Sequence, residues 1–98
     1  MKILQVVPKS SAKLKLKTLL KKKERELRGK ATTFYREGEG KWKHKTYHGW
    51  ISWDKARGGI LVAQIKSRKD EWQLLQAFIG YLDRHLGHYI ESISIYYR

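Results

Sequence analysis

A chain of 98 residues is long enough for one domain, and a domain this size buries only about 60–65% of its unfolded surface, so a net stability of a few kcal/mol is expected. It carries 22 Lys and Arg against 9 Asp and Glu, a formal charge of +13, yet 41% of its residues are apolar and 12% aromatic, too many for intrinsic disorder. With no cysteine there is no disulfide framework, thiolate zinc site or thiol nucleophile; with no apolar run near ~18 residues there is no membrane-spanning helix.

The first residues, MKILQVVPKSSAK, show no long apolar leader and no small-residue cleavage site. The absence of cysteine is compatible with a reduced, cytoplasmic setting, and that is the expected one. Lys2–Val7 reads as a short strand stopped by Pro8. Ser10 or Ser11 then caps a helix running to about Arg28, with Gly29 as its stop. Ala12, Leu16, Leu19, Leu20 and Leu27 form its apolar side, opposite Lys13, Lys17, Lys21 and Arg28. The alternation of Lys13–Lys17 also fits a strand; the leucine spacing favours the helix. Ala31–Arg36 has strand-forming composition and Glu37–Gly40 reads as a turn.

Trp42–Trp53 alternates throughout, which predicts one strand. Tyr47, Ile51 and Trp53 share one side, and His44, Thr46, His48, Trp50 and Ser52 the other. Lys55–Gly59 is a hairpin connection, and Gly59–Lys66 is the most apolar strand and therefore central. Ser67 and Asp70 have capping-box spacing ahead of a helix from about Arg68 to Leu86, ended by Gly87. Trp72, Leu75, Phe78, Ile79, Leu82 and Leu86 are its expected buried stripe. Tyr89–Tyr97 is a last strand, Ile93, Ile95 and Tyr97 opposing Ser92, Ser94 and Tyr96.

The expected fold is a single α+β domain of order β-α-β-β-β-α-β, a mixed sheet with two helices on one face. With Ala31–Arg36 as a loop, the order becomes the ferredoxin-like split βαβ; with the first strand peripheral, it becomes αβββαβ.

The charge is concentrated. Residues 1–30 contribute +9 and each of the other two stretches, 31–48 and 49–98, only +2. A basic helix face neutralises phosphates without reading bases, so the chain is expected to bind DNA or RNA. The expected contacts are Lys13, Lys17, Lys21, Lys22 and Arg25 on the helix. Lys43, Lys45 and Trp50 join them from the segment KWKHKTYHGWISW, where basic and aromatic residues interleave as backbone contact and base stacking require. A Trp50 lying under the N-terminal helix or a loop, or within a dimer interface, is the alternative. A membrane surface is not an expected partner, since the helix has no aromatic anchors. Tyr96 and Tyr97, on a strand that could lie at a sheet edge, suggest strand pairing into a homodimer. Four residues apart on one strand, His44 and His48 stand about 13 Å apart, so no metal site is expected.

Residues Gly59–Asp70, GILVAQIKSRKD, resemble the metal-binding strand of PD-(D/E)XK nuclease-fold proteins, among them archaeal Holliday-junction resolvases. The resemblance implies an αβββαβ core in which an upstream Asp and a (D/E/Q)-x-K tripeptide hold Mg²⁺ and orient a water for phosphodiester hydrolysis. On that reading Gln64 and Lys66 are the tripeptide, Asp54 the upstream acid, and Glu24 or Glu26 a supporting carboxylate. Gln64 is neutral where most members carry an acid. With Arg57–Gly58 at the hairpin centre, the residue opposite Gln64 is near Ile51, three positions from Asp54, unless a bulge or longer loop shifts the register.

Overall fold

The structure is a computed structural model; it describes residues 1–10, 15–28, 30, 33–38, 40–54 and 59–98, with Asp54 described by its backbone alone. The elements are β1 (Lys2–Pro8), α1 (Leu16–Leu27), β2 (Phe34–Gly38), β3 (Lys41–His44), β4 (Trp50–Asp54), β5 (Leu61–Lys66), α2 (Glu71–Leu86) and β6 (Ile90–Tyr97). A 3-10 turn over Gly87–Tyr89 links α2 to β6. The six strands form one sheet in the order β2-β3-β4-β5-β1-β6. Every neighbouring pair is antiparallel, so the expected mixed sheet is corrected to an antiparallel one.

The strand count is also corrected. The segment expected as one strand, Trp42–Trp53, is the hairpin β3–β4, turned by residues 45–49. Gly49 closes that turn at φ +108°, a conformation that side chains with a Cβ rarely adopt. The alternation of polar and apolar residues happens to continue through the turn, which hides it. Pairing Trp42 with Ile51 puts Trp42 in the core, fully buried, whereas one strand would have set it beside Trp50. His44 likewise faces the core side, its ring stacked 4.7 Å from Tyr47 and edge-on to Phe34 at 4.9 Å.

Register explains the core. Leu4 and Val6 of β1, Ile51 and Trp53 of β4, and Leu61, Ala63 and Ile65 of β5 pair with one another along one face of the sheet. All are buried, in one cluster with Leu16, Leu19 and Leu20 of α1 and Leu74, Leu75, Phe78, Tyr81, Leu82 and Leu86 of α2. Both helices therefore cover the same face, as expected, and the molecule is a two-layer sandwich with a shortest extent of 22 Å. An aromatic nucleus of Phe34, Trp42, Trp53, Phe78 and Tyr81 fills the space where α2 crosses β2, β3 and β4.

The helices follow their spacing with two differences. In α2, Trp72 is 45% exposed instead of buried, and Leu74 and Tyr81 take places in the stripe. Trp72 lies in the first turn, rotated off the line through Leu75, Phe78 and Leu82. The expected start near Arg68 moves to Glu71: the Ser67 Oγ accepts the Asp70 N–H at 2.9 Å, as a capping hydroxyl does, while the Asp70 carboxylate accepts the backbone N–H of His48 at 2.7 Å. The acid thus ties the β3–β4 turn to the head of α2. In α1, Lys15 precedes the first helical turn; Ser11, Ala12, Lys13 and the expected stop Gly29 lie outside the described residues, as do Ala31 and Lys55–Gly58 of the two expected turns and strands.

Candidate nucleic-acid interface

Neither helix covers the second face of the sheet. Alternation puts Ile3, Gln5 and Val7 of β1, Lys41 and Lys43 of β3, Trp50 and Ser52 of β4, Val62, Gln64 and Lys66 of β5, and Ser94 and Tyr96 of β6 on it. None of these residues is buried. An antiparallel sheet tolerates one wet face, and this one mixes Gln5, Ser52, Gln64 and Ser94 with three lysines, two aromatic rings and three aliphatic side chains.

One end of this face is built around Trp50. Lys41 lies beside it, its Nζ 4.9 Å from the ring centroid. Across the β4–β5 ladder Trp50 pairs with Lys66. His48, Trp50, Lys66, Ser67 and Arg68 line a concavity of about 460 Å³. Its wall is fixed from behind: the His48 N–H is held by Asp70, and the His48 Nδ1 lies 3.3 Å from Ser67 Oγ. A Cβ on Gly49 would stand 2.1 Å from the Lys66 carbonyl oxygen, so only glycine lets the turn approach β5 this closely. Tyr35, 41% exposed, pairs with Lys43, whose Nζ meets Glu37 at 3.3 Å. Lys45 is exposed in the β3–β4 turn and its N–H donates to the Thr33 carbonyl at 2.9 Å.

The helix residues lie elsewhere. Lys22 and Arg25 are exposed on α1, and Lys17 and Lys21 are half-buried; Lys13 falls outside the described residues. Lys23 pairs with Glu26 at 3.1 Å, and Arg28 grips the buried Glu24 through two hydrogen bonds of 3.1 and 2.6 Å. Because α1 covers the core face, its cations and the Trp50 cluster occupy opposite sides of the sandwich. The expected contacts therefore form two surfaces instead of one. Sequence reading missed Lys41, Arg68 and Tyr35. Lys41 and Tyr35 needed the β2–β3–β4 register to be seen, and Arg68 needed the correct start of α2.

The nuclease-type residues are partly assembled. Gln64 pairs with Ser52, not Ile51, a one-residue difference in register that moves Gln64 from the core face to the open face. Asp54, paired with Val62, Gln64 and Lys66 then sit on that same face, with Asp54 on the diagonal from Gln64. Glu24 and Glu26 are on α1, across the sheet, and both are engaged in ion pairs. Among the described residues no group of three His, Asp or Glu side chains could hold a metal ion. Where the nuclease family has an acidic pair, the sequence here has Asp54 and the neutral amide of Gln64, a donor set that fits Mg²⁺ poorly. No protein-family model, no curated protein and no solved structure matches the chain.

Proposed function

We propose that this protein binds single-stranded nucleic acid, DNA or RNA, on the open face of its sheet. Unpaired bases stack on Trp50 and phosphates meet Lys41, Lys43, Lys66 and Arg68. The observation that carries this reading is the placement of Trp50 in a cationic concavity on a face that neither helix covers. Indole stacking on a base tolerates any sequence, while lysines follow the backbone, so the surface suits sequence-tolerant binding. Antiparallel sheets with exposed aromatic side chains are a recurring platform for unpaired bases. We further read strands β4-β5-β1-β6 as a ferredoxin-like core with the β2–β3 hairpin added at the β4 edge; the strand order, with α2 joining β5 to β6 and α1 leading from β1 into the hairpin, supports that reading. The α1 lysines and Arg25 form a second, backbone-only surface that attracts the polyanion from a distance. A cysteine-free chain suits the reducing cytoplasm, where we place it.

The test is a fluorescence titration with single-stranded 12-mers of DNA and RNA. Stacking quenches Trp emission, and Trp50→Ala removes most of that quenching and weakens binding by about 1–3 kcal/mol. The affinity falls with salt, by about 0.7 in log K per log salt for each phosphate contacted. Binding that Trp50→Ala leaves intact would overturn the open-face reading. Cleavage of the strands with Mg²⁺ or Mn²⁺, lost in Lys66→Ala, would favour the nuclease reading instead.

A further inference from the structure

The two edges of the sheet are built differently. The β2 edge is short, five residues, carries Arg36 and Glu37, and is broken by a register shift between Arg36 and Gly38. Charge and irregularity of this kind block edge-to-edge pairing. The β6 edge is eight residues long with the sequence IESISIYY. From Ser92 to Tyr97 it has no charge, in a chain of net charge +13. Tyr96 and Tyr97 are 51% and 71% exposed. Among the described residues β6 pairs only with β1.

Hydrogen-bond parity says which backbone groups point outward. Met1 and Arg98 exchange both bonds, Arg98 N–H to the Met1 carbonyl at 3.0 Å and the Met1 ammonium to the Arg98 carbonyl at 3.3 Å. Antiparallel ladders alternate bonded and non-bonded pairs, so Tyr96, Ser94 and Ser92 turn their N–H and C=O groups toward β1. Ile93, Ile95 and Tyr97 turn theirs outward, and the regular alternation stops before Glu91, where the register shifts between Val7 and Pro8.

We infer that β6 pairs with β6 of a second copy, antiparallel about a two-fold axis at Ser94. Such an axis sets Ile93 against the partner copy's Ile95 and Glu91 against its Tyr97. Ile93, Ile95 and Tyr97 are residues whose backbone groups point outward. The same register keeps Ile93 and Ile95 on the helix side in both copies and Ser92 with Tyr96 on the open side. A shift to an axis between residues would match outward groups with inward ones and flip one sheet over. The strand is self-complementary in bonding, in side-chain face and in charge, which selects a second copy over an unrelated strand. The pairing closes, because the protected β2 edge leaves nothing for further copies to extend. It would run the open faces of two copies into one continuous sheet.

Sedimentation equilibrium from 5 to 500 µM, in 0.1 and 0.5 M NaCl and without nucleic acid, tests this. A monomer–dimer equilibrium is expected that added salt leaves unchanged or strengthens, since screening relieves repulsion between two cationic bodies. Nucleic-acid binding moves the opposite way with salt, so failure of one reading is distinguishable from failure of the other. Ser94→Lys and Ser94→Glu each place like charges across the axis and weaken the dimer at least tenfold, and mixing the two variants restores pairing. Tyr97→Pro removes an outward N–H that the fold itself does not use and also yields monomer. Circular dichroism confirms that each variant is folded. A monomer at every concentration, or a dimer that none of these variants weakens, overturns the inference.

Discussion

Gly49 fixes the geometry on which Trp50 depends. Its positive φ and the 2.1 Å approach of a would-be Cβ to the Lys66 carbonyl leave no room for any side chain. The obstacle is backbone at the end of the β4–β5 ladder, where Lys66 pairs with Trp50, so it cannot swing aside as a side chain would. Gly49→Ala is expected to destabilise the protein by about 2 kcal/mol or more, measured by urea unfolding, and to shift Trp50 emission. Little change in either would mean that the turn is not the constraint described. His44, at the other end of the same turn, supplies a pH dependence. Burial lowers its pKa from the ordinary 6.5. Burial, followed by the charges of Lys23 and Arg84, lowers that of His85 as well. In both cases the fold prefers the neutral ring and the unfolded chain takes up the proton first. Their stabilisation is complete above the ordinary value and is lost as the pH falls through the lower folded values. The His44 Nδ1 also accepts the N–H groups of Thr46 and Tyr47 at 2.9 and 3.2 Å, which a protonated ring cannot do. The thermal midpoint should therefore fall between pH 7.5 and 5, above the range where carboxylates titrate. The fall should be smaller in His44→Asn, whose Oδ1 can accept the same bonds without titrating. An equal fall in that variant would remove His44 from the account.

At the level of elements, α1 and α2 were legible because the 3.6-residue repeat of leucines is a direct image of one buried side. β6 was legible through period-two alternation, β5 through its apolar run and β1 through a short apolar stretch stopped by Pro8. The β3–β4 hairpin was not. KTYHG carries no turn signal stronger than one glycine, and polar and apolar residues keep alternating across it, so the chain reads straight where it reverses. That single miss carried others with it: the place of Trp42, the face of His44 and the roles of Lys41 and Tyr35. Register was beyond reach for a related reason, since one residue more or less in the β4–β5 connection reverses the side on which Gln64 lies. Within α1, composition alone could not show that Glu24 is buried, 5% exposed, beside Tyr81, and held by Arg28. The pair is asymmetric, for Arg28 remains in water while the carboxylate does not. Removing Arg28 strands a buried charge; neutralising Glu24 leaves a solvated cation. Arg28→Ala should lower the thermal midpoint more than Glu24→Gln does, and the reverse order would contradict the pair's description. Nearby, burial and then the Glu24 charge push the Tyr81 hydroxyl up to about 12, so it stays neutral throughout this range.

Taken whole, the molecule separates its charge into two territories. The block of +9 in residues 1–30 lies largely on and around α1, on the helical side, while Lys41, Lys43, Lys66 and Arg68 surround Trp50 on the open side. A strand bound across the sheet would meet aromatic rings and fixed cations together; one bound along α1 would meet cations alone. Only the first arrangement gives base contact. The two surfaces are separated by the thickness of the sandwich, whose shortest extent is 22 Å, so a short oligonucleotide lying flat on one does not reach the other. The most direct test is an amide and indole N–H titration by nuclear magnetic resonance with a single-stranded hexamer at 0.1 M salt. The largest shifts are expected on the Trp50 indole, Lys41, Lys66, Ser67 and Arg68. Shifts confined to Lys17, Lys22 and Arg25 of α1, with the Trp50 indole unmoved, would contradict binding on the open face.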